Sequence, residues 1–525
     1  MRSAIRRRAL AGSAIAAFAL GFSAPAEAAC GDLADLAIAD GSVTSAEVVA
    51  AGAFQPPAGS GPPPGVTASP FSQLPAFCRV RLTLTPSADS DIKSEVWLPL
   101  EGWNGKYAGV GNGVWAGSIS FAELGRNVGR SHATAATDTG HVGNGLTAEW
   151  AVGHPEKLVD FGHRAVHVTT VAAKRVAEAF YGSAPKFSFW NSCSTGGRQG
   201  LMAAYRYPQD FDAISAMAPA NPMTDLMTQS MWLGWQAQRY GVRLSPANLG
   251  LVHGAVMQQC DALDGVSDGV IGRPLQCRPD LARLQCAAGQ SEGCLSTGQL
   301  HAIQSLYSGV RSDDGTPLAP GWPYGSEMQM ALLTMGNEPF PVATSYFRDL
   351  VYAGRAGWDW KATSYADYMR DGREYGAGIL NVPADGLDAF FARGGKLLLS
   401  HGWNDGLIPA TNTLAFHHGL YNDLPRDRAD NQLRLFLAPG MEHCSGGEGP
   451  SEFDTLGAID EWATTGRAPN RIVATRPIQA QSFPGQPASP PREPMERPLC
   501  PYPLVAKHDG SGDTAVAASF TCAMP

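Results

Sequence analysis

The chain has 525 residues, 44% of them hydrophobic, 9% aromatic and only 17% charged, so it holds enough apolar material for a substantial core and is not a disordered polyelectrolyte. Its formal net charge of −9 leaves no basic surplus to neutralise phosphates, which excludes the nucleic-acid-binding classes. The length admits three domains or one large enzyme domain with an insertion, and 60 Gly with 39 Pro predict many turns and long loops.

The N-terminus reads as an address. Arg2, Arg6, Arg7 and Arg8 precede an apolar run over residues 9–22, and Ala26-Glu27-Ala28 is an A-x-A cleavage site. Residues 1–28 are therefore expected to be a signal peptide, and the mature chain to be secreted or periplasmic. The run is too short for the roughly 20 residues of a membrane span. Cys30 follows the site closely, but Glu27 stands where a lipobox needs an aliphatic residue; the Arg6-Arg7-Arg8 run leaves twin-arginine export open.

Residues 31–70 read as loop-rich, with a Pro/Gly/Ser stretch over 55–70. Alternating runs at 80–84 and 92–98 predict two hairpin-like strands, and 106–110 a third, running into Gly111-Asn112-Gly113. Apolar residues at helical spacing from 159 to 180 predict a helix that stops at Gly182. Residues 186–190 form a strand, followed by Gly196-Gly197 and a helical run from Gln199; two further strands are predicted at 396–400 and 433–438. Strands alternating with helices predict an α/β sheet. The pattern breaks from 216 to 387, which is richer in Met, Trp, Tyr and Gly. We therefore divide the mature chain into core residues 29–215, an inserted lid over 216–394 and core residues 395–525.

Ten cysteines, an even number in an exported chain, predict five disulfides. Local spacing pairs Cys30 with Cys78, Cys260 with Cys277, Cys286 with Cys294 and Cys500 with Cys522. Cys193 and Cys444 remain as a long-range pair. One H-x-x-x-H spacing, His163 with His167, is present, but no C-x-x-C pair accompanies it, so a zinc site is not expected instead.

Ser192-Cys193-Ser194-Thr195-Gly196-Gly197 lies between a predicted strand and a predicted helix, the context of a nucleophile elbow, with Ser192 in place of the usual first glycine. The strand at 396–400 leads into His401-Gly402-Trp403-Asn404-Asp405-Gly406, and that at 433–438 into Pro439-Gly440-Met441-Glu442-His443-Cys444. Ser194, Asp405 and His443 thus each follow a strand, in the order serine, acid, histidine that α/β-hydrolases use. A serine nucleophile needs a base to take its proton, and the base needs a carboxylate to hold its tautomer. Cys193 and Cys444 adjoin the serine and the histidine, so a bond between them would clamp nucleophile to base. His132, His141, His163 and His167 follow no such logic and are expected to be structural.

Cys-Ser-x-Gly-Gly at 193–197, the His-Gly-x-x-Asp loop and Gly-Met-x-His-Cys-Ser-Gly-Gly at 440–447 resemble the tannase and feruloyl esterase family, which also includes mono(2-hydroxyethyl) terephthalate hydrolases. Trp103-Asn104-Gly105-Lys106, Thr137 to His141, Asp160 to Arg164 and the tail from Arg497 to Pro503 extend the resemblance over nearly the whole mature chain. The resemblance implies a secreted serine esterase with an α/β-hydrolase core and a large lid. It places one oxyanion-hole N–H at Gly113, beside the one expected from Thr195.

Within the lid, Asp261, Asp264 and Asp268 put three carboxylates into eight residues among glycines, a donor set suited to a hard cation such as Ca²⁺. The resemblance adds the Val266 and Val270 carbonyls and makes the metal structural; a solvated acidic turn stapled by Cys260–Cys277 is the alternative. The expected function is hydrolysis of a small aromatic ester of feruloyl or galloyl type, with no organic cofactor and no membrane span. A terephthalate monoester hydrolase is the alternative within the class. A non-catalytic, calcium-stabilised binding protein is the alternative outside it. The aromatic-rich stretch from Trp322 to Tyr375 is expected to wall the acyl pocket.

Overall fold

The computed structural model describes residues 24–57, 71–334, 338–476, 478 and 492–525. Most of the expected signal peptide, and residues 58–70 of the Pro/Gly/Ser stretch, lie outside them. The centre is a nine-stranded sheet: β1 (Gly41–Val49), β2 (Phe77–Leu84), β3 (Ile92–Pro99), β4 (Lys106–Gly109), β5 (Ala133–Thr137), β6 (Phe187–Cys193), β7 (Ala213–Met217), β8 (Lys396–Gly402) and β9 (Leu433–Ala438). Their order is β1-β2-β3-β5-β4-β6-β7-β8-β9. Pairing is antiparallel from β1 through β3 to β5 and parallel from there to β9. This mixed α/β sheet is the architecture expected from the alternation of strands and helices.

β8 and β9 are buried on both faces along most of their length, which is why they read as near-continuous apolar runs. Successive residues point to opposite sides. Leu397 and Leu399 of β8 pack into one cluster with Val166 and Val176 of α1 (Ala165–Tyr181) and Leu201 of α2 (Thr195–Arg206). Leu398 packs into another with Ile459 and Trp462 on a helix over Thr455–Thr465. The helix predicted over 159–180 is broken at its start, a π turn at Asp160–Arg164 preceding α1, and it stops at Gly182, whose φ of 73° only glycine adopts without cost.

The loop-rich reading of 31–70 is corrected by β1, an edge strand of small and polar residues paired along β2. The predicted strand at 106–110 ends at Gly109, and the predicted one at 186–190 runs on to Cys193.

Between β7 and β8 the chain leaves the sheet and builds mostly helices: α3 (Met223–Arg239), α4 (Pro246–Cys260), α5 (Thr297–Ser308) and α6 (Glu327–Thr334) are the ones that bear on the site. Trp115 and Phe161 of the core share an apolar cluster with Met223, Met227, Tyr346 and Phe347 of this insertion, so it is seated on the core rather than tethered to it. Among the described residues no helix is long and apolar enough to cross a membrane. The five disulfides are Cys30–Cys78, Cys193–Cys444, Cys260–Cys277, Cys286–Cys294 and Cys500–Cys522.

Candidate active site

The site begins with a tight turn. β6 ends at Cys193, and Ser194 takes φ 64° and ψ −128° before α2 starts at Thr195. That conformation is strained for a non-glycine residue, and it lifts the hydroxyl away from the sheet. The turn closes only because its neighbours are glycines. A Cβ on Gly196 would lie 2.0 Å from Ser192 Oγ, and one on Gly197 2.6 Å from the Met217 carbonyl oxygen. Ser192, in the place of the usual glycine, is accommodated for the same reason: residue 196 has no side chain, and the Ser192 hydroxyl accepts the Gly111 N–H at 3.2 Å.

Asp405 follows β8 and His443 follows β9, so both arrive at the same edge of the sheet as Ser194. Ser194 Oγ lies 3.0 Å from His443 Nε2, and His443 Nδ1 lies 2.7 Å from Asp405 Oδ2. Asp405 is fully buried and His443 nearly so. The other Asp405 oxygen accepts the N–H groups of Leu407 (2.9 Å) and Ile408 (2.8 Å), which fixes the carboxylate plane. Burial alone would raise the Asp405 carboxyl, but attraction to His443 and hydrogen bonds from His401 and His443 hold it well below the usual carboxylate range.

His401 also belongs to the site, a role that the sequence alone does not assign to it. Its Nε2 lies 3.0 Å from the same Asp405 Oδ2, and its Nδ1 lies 2.8 Å from Thr413 Oγ1. Its position four residues before Asp405 was the available signal. The four histidines set aside as structural each have a partner in the fold: Arg130 for His132, Trp115 for His141, Tyr207 for His163 and Asp210 for His167.

The loop after β4 lies against the elbow. The Asn112 carbonyl accepts the Gly196 N–H at 2.8 Å, and the Val114 carbonyl accepts the Thr195 hydroxyl at 2.7 Å. Gly113 sits between these two anchors, and Val114 is held at φ 43°, a costly angle for a β-branched residue. A Cβ on Gly111 would come within 2.5 Å of Gly196 Cα, so only glycine permits this approach. Thr195 supplies the first N–H of α2, at the positive end of its dipole.

Cys193 and Cys444 are bonded, with Cα atoms 5.9 Å apart across a sequence separation of 251. Their sulfur atoms and His443 lie close enough together to suggest a metal cluster, but the disulfide occupies both sulfurs.

Ser194 and His443 open into a narrow cavity walled by Met223, Leu226, Met227, Leu333, Phe340 and Val342, with Ser230 as a polar contributor. Apart from His443, no ionisable side chain lines it among the described residues. The aromatic walls expected from residues 322–375 reduce to Phe340; Tyr346, Phe347, Tyr365 and Tyr368 are buried in the apolar cluster shared by core and insertion, and Trp322 in a second one.

In the acidic loop, Asp261 accepts the N–H groups of Asp268, Gly269 and Val270, Asp264 accepts that of Val266, and Asp268 pairs with Arg497. Burial, then the charges of Asp268 and Asp261, push the Asp264 carboxyl up to about 6 against the hydrogen bond from Val266. Asp268 is paired with the Arg497 guanidinium, and among the described residues the three carboxylates do not bring one oxygen each to within 4.8 Å of one another, so a cation would have to draw them together.

A family model for tannase and feruloyl esterase matches residues 78–353 and 358–523. An uncharacterized esterase of Xanthomonas campestris pv. campestris is 33% identical over 95% of this chain and 92% of its own length. A probable feruloyl esterase B-1 of Aspergillus flavus is 32% identical over 75% of this chain and 78% of its own. The crystal structure of feruloyl esterase B from Aspergillus oryzae superposes with a TM-score of 0.83 at 26% identity, over 95% of this chain and all of that one.

Proposed function

Because the chain belongs to the tannase and feruloyl esterase family and is a carboxylic ester hydrolase, we propose that it works as an exported serine esterase on esters of aromatic acids, through an acyl-enzyme. The observation that carries this reading is the hydrogen-bonded chain Ser194–His443–Asp405, with spacings of 3.0 and 2.7 Å, opening on an apolar cavity.

In this reading His443 Nε2 takes the Ser194 proton as Oγ bonds to the ester carbonyl carbon. The carbonyl oxygen becomes an alkoxide held by the Thr195 and Gly113 N–H groups. The intermediate collapses, the C–O bond to the alcohol breaks, and His443 returns its proton to the departing oxygen. Water then attacks the acyl-serine with His443 again as base, releasing the acid and restoring Ser194. Asp405 keeps the imidazole in the tautomer that presents Nε2 to the serine and stabilises the imidazolium between steps.

The cavity supports the feruloyl side of the family. A terephthalate monoester carries a carboxylate that needs a cation, and a galloyl ring carries three hydroxyls that need polar partners; burying either without them costs kilocalories. Beyond the catalytic Ser194 and His443, the described lining offers Ser230, Thr195 and apolar carbon. A panel of methyl ferulate, methyl gallate and a terephthalate monoester tests this: kcat/KM is expected to fall in that order, and a preference for the terephthalate ester would reverse the assignment.

Two further elements belong to the proposal. Asp261, Asp264 and Asp268, with the Val266 and Val270 carbonyls, would hold a Ca²⁺ ion that stabilises the insertion by neutralising their charge. Export is supported by the N-terminal Arg-apolar-AxA pattern and by the five disulfides, which persist in oxidising compartments.

A further inference from the structure

The acid and the base of the triad stand on separate loops, after β8 and after β9, and one side chain of the insertion reaches both. Gln329, on α6, is completely buried. Its Oε1 accepts the backbone N–H of Gly406, the residue after Asp405, at 3.0 Å, and the backbone N–H of His443 itself at 3.1 Å. Two donors converging on one oxygen fix the amide's orientation. The cost is visible: Gln329 Nε2 has no hydrogen-bond partner among the described residues.

The neighbourhood is built for this contact. A Cβ on Gly406 would fall 2.5 Å from the Met330 backbone nitrogen, so only glycine lets the acid loop lie against α6. The Gly406 carbonyl accepts Trp322 Nε1–H at 3.1 Å, so both backbone polar groups of Gly406 are bonded to the insertion. The helix is anchored at its start, where Glu327 accepts Tyr307 Oη–H and the Gly325 N–H on one oxygen and faces His253 Nδ1 with the other. One turn beyond Gln329, Leu333 lines the cavity.

We propose that Gln329 is a positioning residue of the catalytic machinery, the point at which the insertion sets the spacing between the Asp405 loop and His443. This rests on the triad reading given above. The role requires an acceptor oxygen at that place; it does not require the amide N–H₂, which has no partner among the described residues. Losing the acceptor strands two buried N–H groups and leaves the loops held beside the triad by the Asn404 N–H to Met441 carbonyl bond without the insertion's support, and a displacement of about 1 Å at reacting groups costs on the order of a hundredfold in rate. Gln329 does not line the cavity, so substrate binding is expected to be spared.

The test is a steady-state comparison of Gln329→Met, Gln329→Asn and Gln329→Glu with wild type on one ester, alongside Ser194→Ala and thermal midpoints. Gln329→Met removes the acceptor at nearly constant volume and is expected to lower kcat by roughly tenfold to a hundredfold with KM within about twofold. Gln329→Asn withdraws the amide by one methylene and is expected to show the same split, which keeps the question open to decision if the methionine variant does not fold. Gln329→Glu retains an acceptor oxygen and is expected to keep kcat within about threefold of wild type. Folded Met or Asn variants with wild-type kcat, or a folded Glu variant as slow as they are, would overturn the positioning role. Turnover surviving in Ser194→Ala would instead overturn the triad reading, so the two failures are separable.

Discussion

Ser194 sits at φ 64° between a cysteine and a glycine-permitted turn, and a residue in that region costs about 1–3 kcal/mol unless its surroundings dictate it. The surroundings here include a covalent bond: Cys193 precedes the serine, Cys444 follows the histidine, and the disulfide joins them. A loop of that length restricts the unfolded chain by roughly 5 kcal/mol in the loop-entropy model, but its place beside the chemistry argues for a larger effect on rate than on folding. The double variant Cys193→Ala with Cys444→Ala is therefore expected to lose more than about tenfold in kcat while the other four disulfides keep it folded; unchanged kcat would show that packing alone holds serine to histidine. At this scale the sequence was informative. Ser194, Asp405 and His443 stand out because each follows an apolar run, and the cysteines adjoin two of them. His401 was visible four residues before Asp405, but nothing in the sequence says that its ring turns toward the carboxylate. Gln329 left no signal at all, since its partners are backbone groups more than seventy residues away.

Among the elements, strands with large aliphatic side chains were readable and those without were not. β8 and β9 are dense in leucine, whereas β5 is Ala-Thr-Ala-Ala-Thr, a run that by propensity suits a helix as well. Its strand character comes from the backbone pairing with β3 on one side and β4 on the other. The acidic loop over 261–270 shows the reverse case, a local pattern whose charge demands an explanation beyond the loop. If a cation resides there, it binds the folded chain and not the unfolded one, so chelation should lower the thermal midpoint by a few degrees in a calcium-reversible way. Elemental analysis of the purified protein should find calcium near one equivalent; none, with no effect of chelator, would leave the loop as a hydrogen-bonded acidic turn.

Across the molecule, the insertion and the core meet in ionic contacts as well as apolar ones. His253 on α4 lies between Glu327 of α6 and Glu448 of the loop that carries His443, 2.7 and 3.0 Å away. Burial works against charging this imidazole, but hydrogen bonds to the two carboxylates and their charges prevail and push it up to about 10. A raised histidine stabilises the fold fully below its unfolded value near 6.5, and that contribution fades as pH rises toward about 10, because the folded chain retains a proton that the unfolded chain has released. Wild type should thus lose stability over this interval, and His253→Gln should flatten the dependence; parallel curves would mean that the bridge contributes nothing. Such contacts, like the apolar cavity whose described lining holds the one phenyl ring of Phe340 where aromatic walls are expected, arise from how the insertion folds over the core and are written in no local pattern. The account as a whole stands on Ser194 as nucleophile. Its most direct measurement is peptide mapping by mass spectrometry after treatment with a serine-reactive phosphonate: one adduct on Ser194, accumulating in step with loss of ester hydrolysis, is the predicted result, and full inactivation with Ser194 unmodified, or full modification with activity retained, would contradict it.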